Sequence, residues 1–68
     1  MFSLDTYIKQ LITDVERDGS TVLQCHEKVI AGRPYIVLRY VDRIDKLEYI
    51  VIFKIKDNER YQVARWKI

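Results

Sequence analysis

The sequence predicts an α+β domain: one N-terminal amphipathic helix packed on a four-stranded antiparallel meander sheet, in the order α-β-β-β-β. Three observations predict it. Apolar residues recur at helical spacing as far as residue 18. From residue 21 the hydrophobic period changes to that of a strand. The breaks between the strand-like segments are short, which suits hairpins and leaves no room for parallel crossovers.

The helix comes first. Leu4, Tyr7, Ile8, Leu11, Ile12 and Val15 follow the spacing of a single apolar stripe over residues 4–18. Asp5, Lys9, Gln10, Thr13, Asp14 and Glu16 lie off it. Ser3 suits the N-cap, and Phe2 and Tyr7 fall at the positions of a hydrophobic staple. Asp5 sits in the first turn, where the helix dipole favours an anion, and can pair with Lys9 one turn on. Asp18-Gly19-Ser20 stops the helix, with Gly19 suited to a left-handed cap. Asp14, Glu16 and Asp18 crowd the C-terminal end, where the dipole favours cations, and only Arg17 answers them.

Four strands follow, over about residues 21–31, 35–43, 47–56 and 60–67. Gly32-Arg33-Pro34, Ile44-Asp45-Lys46 and Asp57-Asn58-Glu59 are turn material between them. Strict alternation sorts the strands into two faces. The first collects Leu23, Cys25, Val29, Ile36, Leu38, Tyr40, Tyr49, Val51, Phe53 and Ile55, and should lie under the helix. The last strand adds either Tyr61 and Val63 or Ala64 and Trp66, and its register is open. The second face carries Val22, Gln24, His26, Lys28, Ile30, Tyr35, Val37, Arg39, Val41, Arg43, Glu48, Ile50, Ile52, Lys54 and Lys56.

Size bounds what such a chain can do. Its 68 residues form a single domain, 1–68. At this length the core is small and stability marginal. The one cysteine, Cys25, excludes an internal disulfide. With His26 it falls short of the four ligands of a structural zinc site, so no metal and no cofactor are expected. Hydrophobic residues make up 49% and charged residues 32%, a globular balance that excludes disorder. No apolar run reaches the ~20 residues of a membrane span, and MFSLDTYIKQ lacks the regions of a signal peptide. A free thiol and no membrane segment lead to the expectation of a cytoplasmic protein. Charge is uneven. Residues 1–20 hold four acids and two bases, the remainder six acids and ten bases, which gives −2 and +4.

Catalytic signals are weak. Cys25 and His26 are neighbours on a strand and point to opposite faces, so they do not form a nucleophile–base dyad. Ser3 and Ser20 read as cap and turn residues. Two glycines, Gly19 and Gly32, do not make a phosphate loop. The tail IVIFKIKDNERYQVARWKI is similar in rhythm to ribonuclease toxins of the RelE type, which use arginine, lysine and tyrosine on a curved sheet. The chain lacks their second helix. A double-stranded-RNA-binding domain also opens with a helix and strands but closes on a basic helix, whereas this chain ends in a strand.

The second sheet face is the informative one, because an open face in water should be mostly polar. Here aliphatics occupy the middle with cations around them, the pattern of an interaction surface. The expected function is that of a small non-catalytic interaction, accessory or inhibitor domain. The tiny size and absent motifs point toward a phage or mobile element. Binding would centre on Tyr35, Val37, Arg39, Ile50, Ile52 and Lys54, with a protein or a second copy as partner. Asp14, Glu16 and Asp18 form a secondary candidate surface. One alternative is single-stranded nucleic acid, with Tyr35, Arg39, Arg43, Lys54, Lys56, Arg65 and Trp66 as candidates, and a second is the ribonuclease activity that the resemblance to RelE-type toxins implies.

Overall fold

The structure, a computed structural model, describes residues 4–68. A helix, α1 (Asp5–Arg17), precedes four strands: β1 (Thr21–Ile30), β2 (Arg33–Val41), β3 (Glu48–Lys56) and β4 (Glu59–Lys67). The strands lie in the order β1-β2-β3-β4, every pair antiparallel. This is the α-β-β-β-β meander that the change of period predicts. No helix among the described residues is long and apolar enough to cross a membrane.

The helix is amphipathic as its spacing requires. Leu4 and Leu11 are buried, and Tyr7, Ile8 and Val15 pack beside them against the sheet. The cap at Ser3 and the staple from Phe2 lie outside the described residues. The other end is a Schellman stop. The Gly19 N–H donates to the Glu16 carbonyl at 2.9 Å and the Ser20 N–H to the Val15 carbonyl at 3.3 Å. Gly19 takes φ +87°, which a side chain resists. The Ser20 hydroxyl then accepts from the Arg43 N–H at 3.2 Å, tying the helix end to the β2–β3 loop.

The core lies between α1 and one sheet face. Ile36 and Leu38 from β2, and Val51 and Phe53 from β3, meet Leu4 and Leu11 from the helix side. Among the described residues these six are the buried ones. The four from the sheet all lie on the two central strands, which have neighbours on both sides.

Turn positions differ slightly from the sequence reading. The first hairpin turns at Ala31-Gly32 and the last at Asp57-Asn58. All four residues have positive φ, and each turn is closed by a cross-strand pair, Ile30 with Arg33 and Lys56 with Glu59. Two residues with positive φ make a type I′ turn, whose twist matches the flanking strands. Arg33 and Pro34 therefore belong to β2 rather than to the turn. Between β2 and β3 the Asp42 carboxylate accepts from the Ile44 and Asp45 N–H groups, at 2.9 and 3.2 Å, and winds the loop tightly.

Two bulges correct the strict alternation. In β1 the register shifts between Val22 and Gln24, leaving Leu23 out of the pairing. Val22 then faces the helix, packed against the core, while Leu23 is 47% exposed. The expected places of these two residues are exchanged. In β4 the register shifts opposite Ile52 and Phe53, and Val63 is the residue left over. Neither expected phase of the last strand is right. Residues before the bulge follow one phase and residues after it the other. A bulge sets two residues against one and flips the following side chains to the other face.

Candidate functional site

The pairing register builds the helix-free face row by row. Tyr35 pairs with Lys54, Val37 with Ile52 and Arg39 with Ile50. The six residues singled out in the sequence are thus three adjacent cross-strand pairs on one face. Cross-strand neighbours on a face sit about 5 Å apart, close enough to act as one surface. On β1, Lys28, His26 and Gln24 continue these rows beside Tyr35, Val37 and Arg39.

The β4 bulge extends the same rows on the other side. Tyr61 pairs with Lys54, Ala64 with Ile52 and Trp66 with Ile50. Paired residues share a face, so Tyr61, Ala64 and Trp66 all join the helix-free surface. Tyr61 is 40% and Trp66 46% exposed. Tyr61 was missed in the sequence, where a single phase was imposed on the strand. The signal was present: Tyr61 and Val63 suit one phase, Ala64 and Trp66 the other, and a switch of phase inside one strand is what a bulge produces.

The completed face has a middle, a basic end and a self-neutralised end. Val37, Ile50, Ile52 and Ala64 form the middle, all half-buried by their neighbours. Toward the hairpin turns lie Lys28, Arg33, Lys54 and Lys56 against two acids, Asp57 in the turn itself and Glu59. Among the described residues none of these four cations is in an ion pair. The Lys54 ammonium lies 5.9 Å from the centre of the Tyr61 ring. The Tyr61 hydroxyl donates to Glu59 at 2.6 Å, and that bond raises the phenol above its usual pKa. At the far end Arg39 donates from Nε and Nη2 to Oε2 of Glu48, at 3.2 and 2.8 Å, and from Nη1 to Gln24 at 3.4 Å. Arg39 is therefore on the candidate surface with its charge already answered.

Two other candidates sit elsewhere. Arg43 lies in the loop after β2, with its Cδ 2.9 Å from where a Cβ on Gly19 would stand. It faces the helix end, because β2 stops at Val41 and the chain turns there. Arg65 pairs with Val51, so it belongs to the helix side of the sheet. Its guanidinium stacks over the Tyr49 ring at 4.3 Å and donates to the Tyr40 hydroxyl at 3.1 Å. Tyr40 and Tyr49 themselves stack at 5.6 Å. The Tyr49 hydroxyl donates to Asp45, holding that carboxyl below its usual pKa and raising the phenol above its own. This cluster ties the β2–β3 loop to the sheet, and its Tyr40 and Arg65 line a cleft of about 350 Å³ beside the helix C-terminus together with Leu11, Leu38 and Val51.

The acidic helix end is partly accounted for by packing. Asp14 pairs with Arg60 of β4 at 3.6 Å, and Arg60 in turn lies 5.2 Å from the Phe53 ring centre. Asp14 thus clips the helix to the sheet edge. Asp18 caps the helix, and Glu16 is exposed. The three acids stay on the helix side, away from the sheet surface.

No family model, curated protein or solved structure matches this chain. The site is therefore read from its own chemistry. Cys25 pairs with Leu38 on the helix side, and His26 with Val37 on the other, so the two are separated by the sheet. Burial raises the Cys25 thiol above its usual pKa, against a smaller opposing pull from Arg60. A thiol so placed is a poor nucleophile at neutral pH. Among the described residues no group of three or more His, Cys, Asp or Glu side chains is placed to hold a metal ion.

Proposed function

We propose that this chain is a non-catalytic binding domain that docks a protein partner on its helix-free sheet face. One observation carries the reading. The apolar middle of that face, Val37, Ile50, Ile52 and Ala64, continues across β2, β3 and β4 into Trp66 and has no covering layer among the described residues. A contiguous apolar surface rimmed by charge is an interaction surface more often than an accident of strand propensity. The polar rim here is Lys28, Arg39, Glu48 and Lys54, the arrangement of an interface with a dry centre.

A photo-activatable residue placed at Val37 tests this directly. Adducts with protein should form from position 37, fail after Ile52→Asp, and be absent from position 13 on the outer helix face. Equal labelling from both positions would refute the assignment.

The β4 bulge favours a second reading. It completes a row, Lys28-Tyr35-Lys54-Tyr61, in which cations and aromatic rings alternate across the sheet. That is the composition on which single-stranded nucleic acid stacks and is neutralised. Steep salt dependence of oligonucleotide binding, lost in Lys54→Glu, would establish it.

A further inference from the structure

We infer that the partner on the helix-free face is a second copy of this chain, packed sheet on sheet about a two-fold axis that runs across the strands. This rests on the protein-docking reading and names its occupant.

Three features lead there. The first is the core. Six buried residues among those described, on one side of a sheet, leave a domain of this size short of buried apolar surface. A second copy supplies the missing layer at the same place in every molecule. It does so with closed symmetry, because a two-fold interface uses the same patch twice.

The second is area. Four strands about 4.8 Å apart and nine residues long give a face of roughly 20 by 30 Å. That is about 600 Å² per copy and about 1,200 Å² in all, the lower bound of specific interfaces. The dimer should therefore be weak, with a dissociation constant on the order of 10 µM.

The third is charge. Lys28, Arg33, Lys54 and Lys56 gather at the turn end and outnumber its two acids, Asp57 in the turn and Glu59. Arg39 and Glu48 neutralise each other at the far end. An axis along the strands would lay one basic end on the other. An axis across them lays the basic end of each copy over the neutral end of its partner. The Lys54 stem then meets Ile50 and Tyr61 meets Trp66, contacts that apolar burial and aromatic packing favour. The axis passes over the row His26-Val37-Ile52-Ala64, so Ile52 of each copy lies near its own symmetry mate. Edge-to-edge association is disfavoured, since both edge strands carry a bulge, at Leu23 and Val63.

Sedimentation velocity of the full chain, from low micromolar to near-millimolar concentration, tests the inference. The 8.2 kDa chain should shift progressively to a particle of twice that mass. Ile52→Asp places a carboxylate beside its own mate and should weaken the dimer at least ~100-fold, leaving a monomer throughout. Should Ile52→Asp fail to fold by circular dichroism, Trp66→Lys on the edge strand serves instead and should weaken it at least ~10-fold. Thr13→Lys on the outer helix face should change nothing. A wild-type chain that stays monomeric overturns the second copy as partner. If adducts from Val37 to another protein persist in that case, docking on this face still stands. A dimer unmoved by both face variants overturns the inference and the docking surface together. A monomer that binds fluorescent oligothymidylate, and loses it on Lys54→Glu, overturns the inference in favour of nucleic acid.

Discussion

Ile36 and Ile52 lie on adjacent strands and face opposite ways, which makes them a matched pair of probes. Ile36 is 0% exposed, under the helix, whereas Ile52 is half-buried on the open face. Truncating Ile36 to alanine removes a fully packed side chain from a core of six, and should cost about 3–4 kcal/mol, within the range for such changes. A chain of this length has a total stability of roughly 3–10 kcal/mol, so the loss is a large fraction of the whole. At about 4–8 °C per kcal/mol, the melting temperature should fall by roughly 12–32 °C. Ile52→Ala loses only partial burial and should cost about 1 kcal/mol in the isolated chain. Thermal and urea unfolding followed by circular dichroism at low micromolar concentration measures both. At high concentration the Ile52 variant should lose additional apparent stability, because association stabilises the folded state by mass action. Equal costs for the two variants in dilute solution would refute the division of the sheet into a core face and an open face.

Gly19→Ala should destabilise by about 1–2 kcal/mol in the same unfolding assay, since φ is +87° and the added Cβ meets Arg43. Gly32→Ala, at φ +76° with open space around it, should cost only the backbone part, about 1 kcal/mol. Deleting Val63 removes the residue left over at the β4 bulge and leaves the pairs on either side in regular register, so cross-strand nuclear Overhauser effects from Lys54 to Tyr61 and from Ile50 to Trp66 should both survive, and loss of either would refute the bulge assignment. The Asp45–Tyr49 bond has a defined pH signature. Asp45, lowered from 3.8, contributes stability above that value that is lost as pH falls through its own pKa. Tyr49, raised from 10.0, contributes stability below that value that is lost as pH rises through its own. Phenolate absorbance should show Tyr49 titrating above a free tyrosine, and Asp45→Asn should bring it down. Cys25 should alkylate more slowly at neutral pH in the folded chain than in urea, because burial raises its thiol pKa.

The helix was legible because its signal is local and redundant. Apolar residues at helical spacing, ended by Gly19, are all within a few turns of one another, and burial of Leu4 and Leu11 follows from the stripe. The strands were legible for a similar reason. Val, Ile, Tyr and Phe runs between turn residues leave only one compact antiparallel solution. That Tyr35, Val37, Arg39, Ile50, Ile52 and Lys54 share a face also followed from alternation, since β2 and β3 pair without interruption, whereas which residue pairs with which is set by the register. Turn positions drifted by a residue or two because Ala31 and Asp57 carry positive φ without glycine.

The candidate surface was legible at its centre and misread at its edges. Arg43 was placed on it because strand alternation was carried past Val41, into a loop whose direction is set by the Asp42 carboxylate. Arg65 was considered for it because a strict alternation cannot tell which half of β4 it describes. Tyr61 was left out for the same reason. Charges were visible in the sequence but their neutralisation was not. Arg39 meets Glu48 and Arg60 meets Asp14 only after strands and helix come together.

By itself the sequence determined the α-β-β-β-β order, the helix stripe and the presence of more apolar residues than one helix–sheet interface can use. These are properties of neighbouring residues along the chain. The tertiary structure alone decided that Tyr61, Ala64 and Trp66 share a face with Tyr35, Val37, Ile50 and Ile52. The physical reason is that a bulge belongs to a pair of strands. Val63 is left over only because the hydrogen-bonded ladder with β3 has no partner for it, and that mismatch turns Ala64 and Trp66 onto the open face.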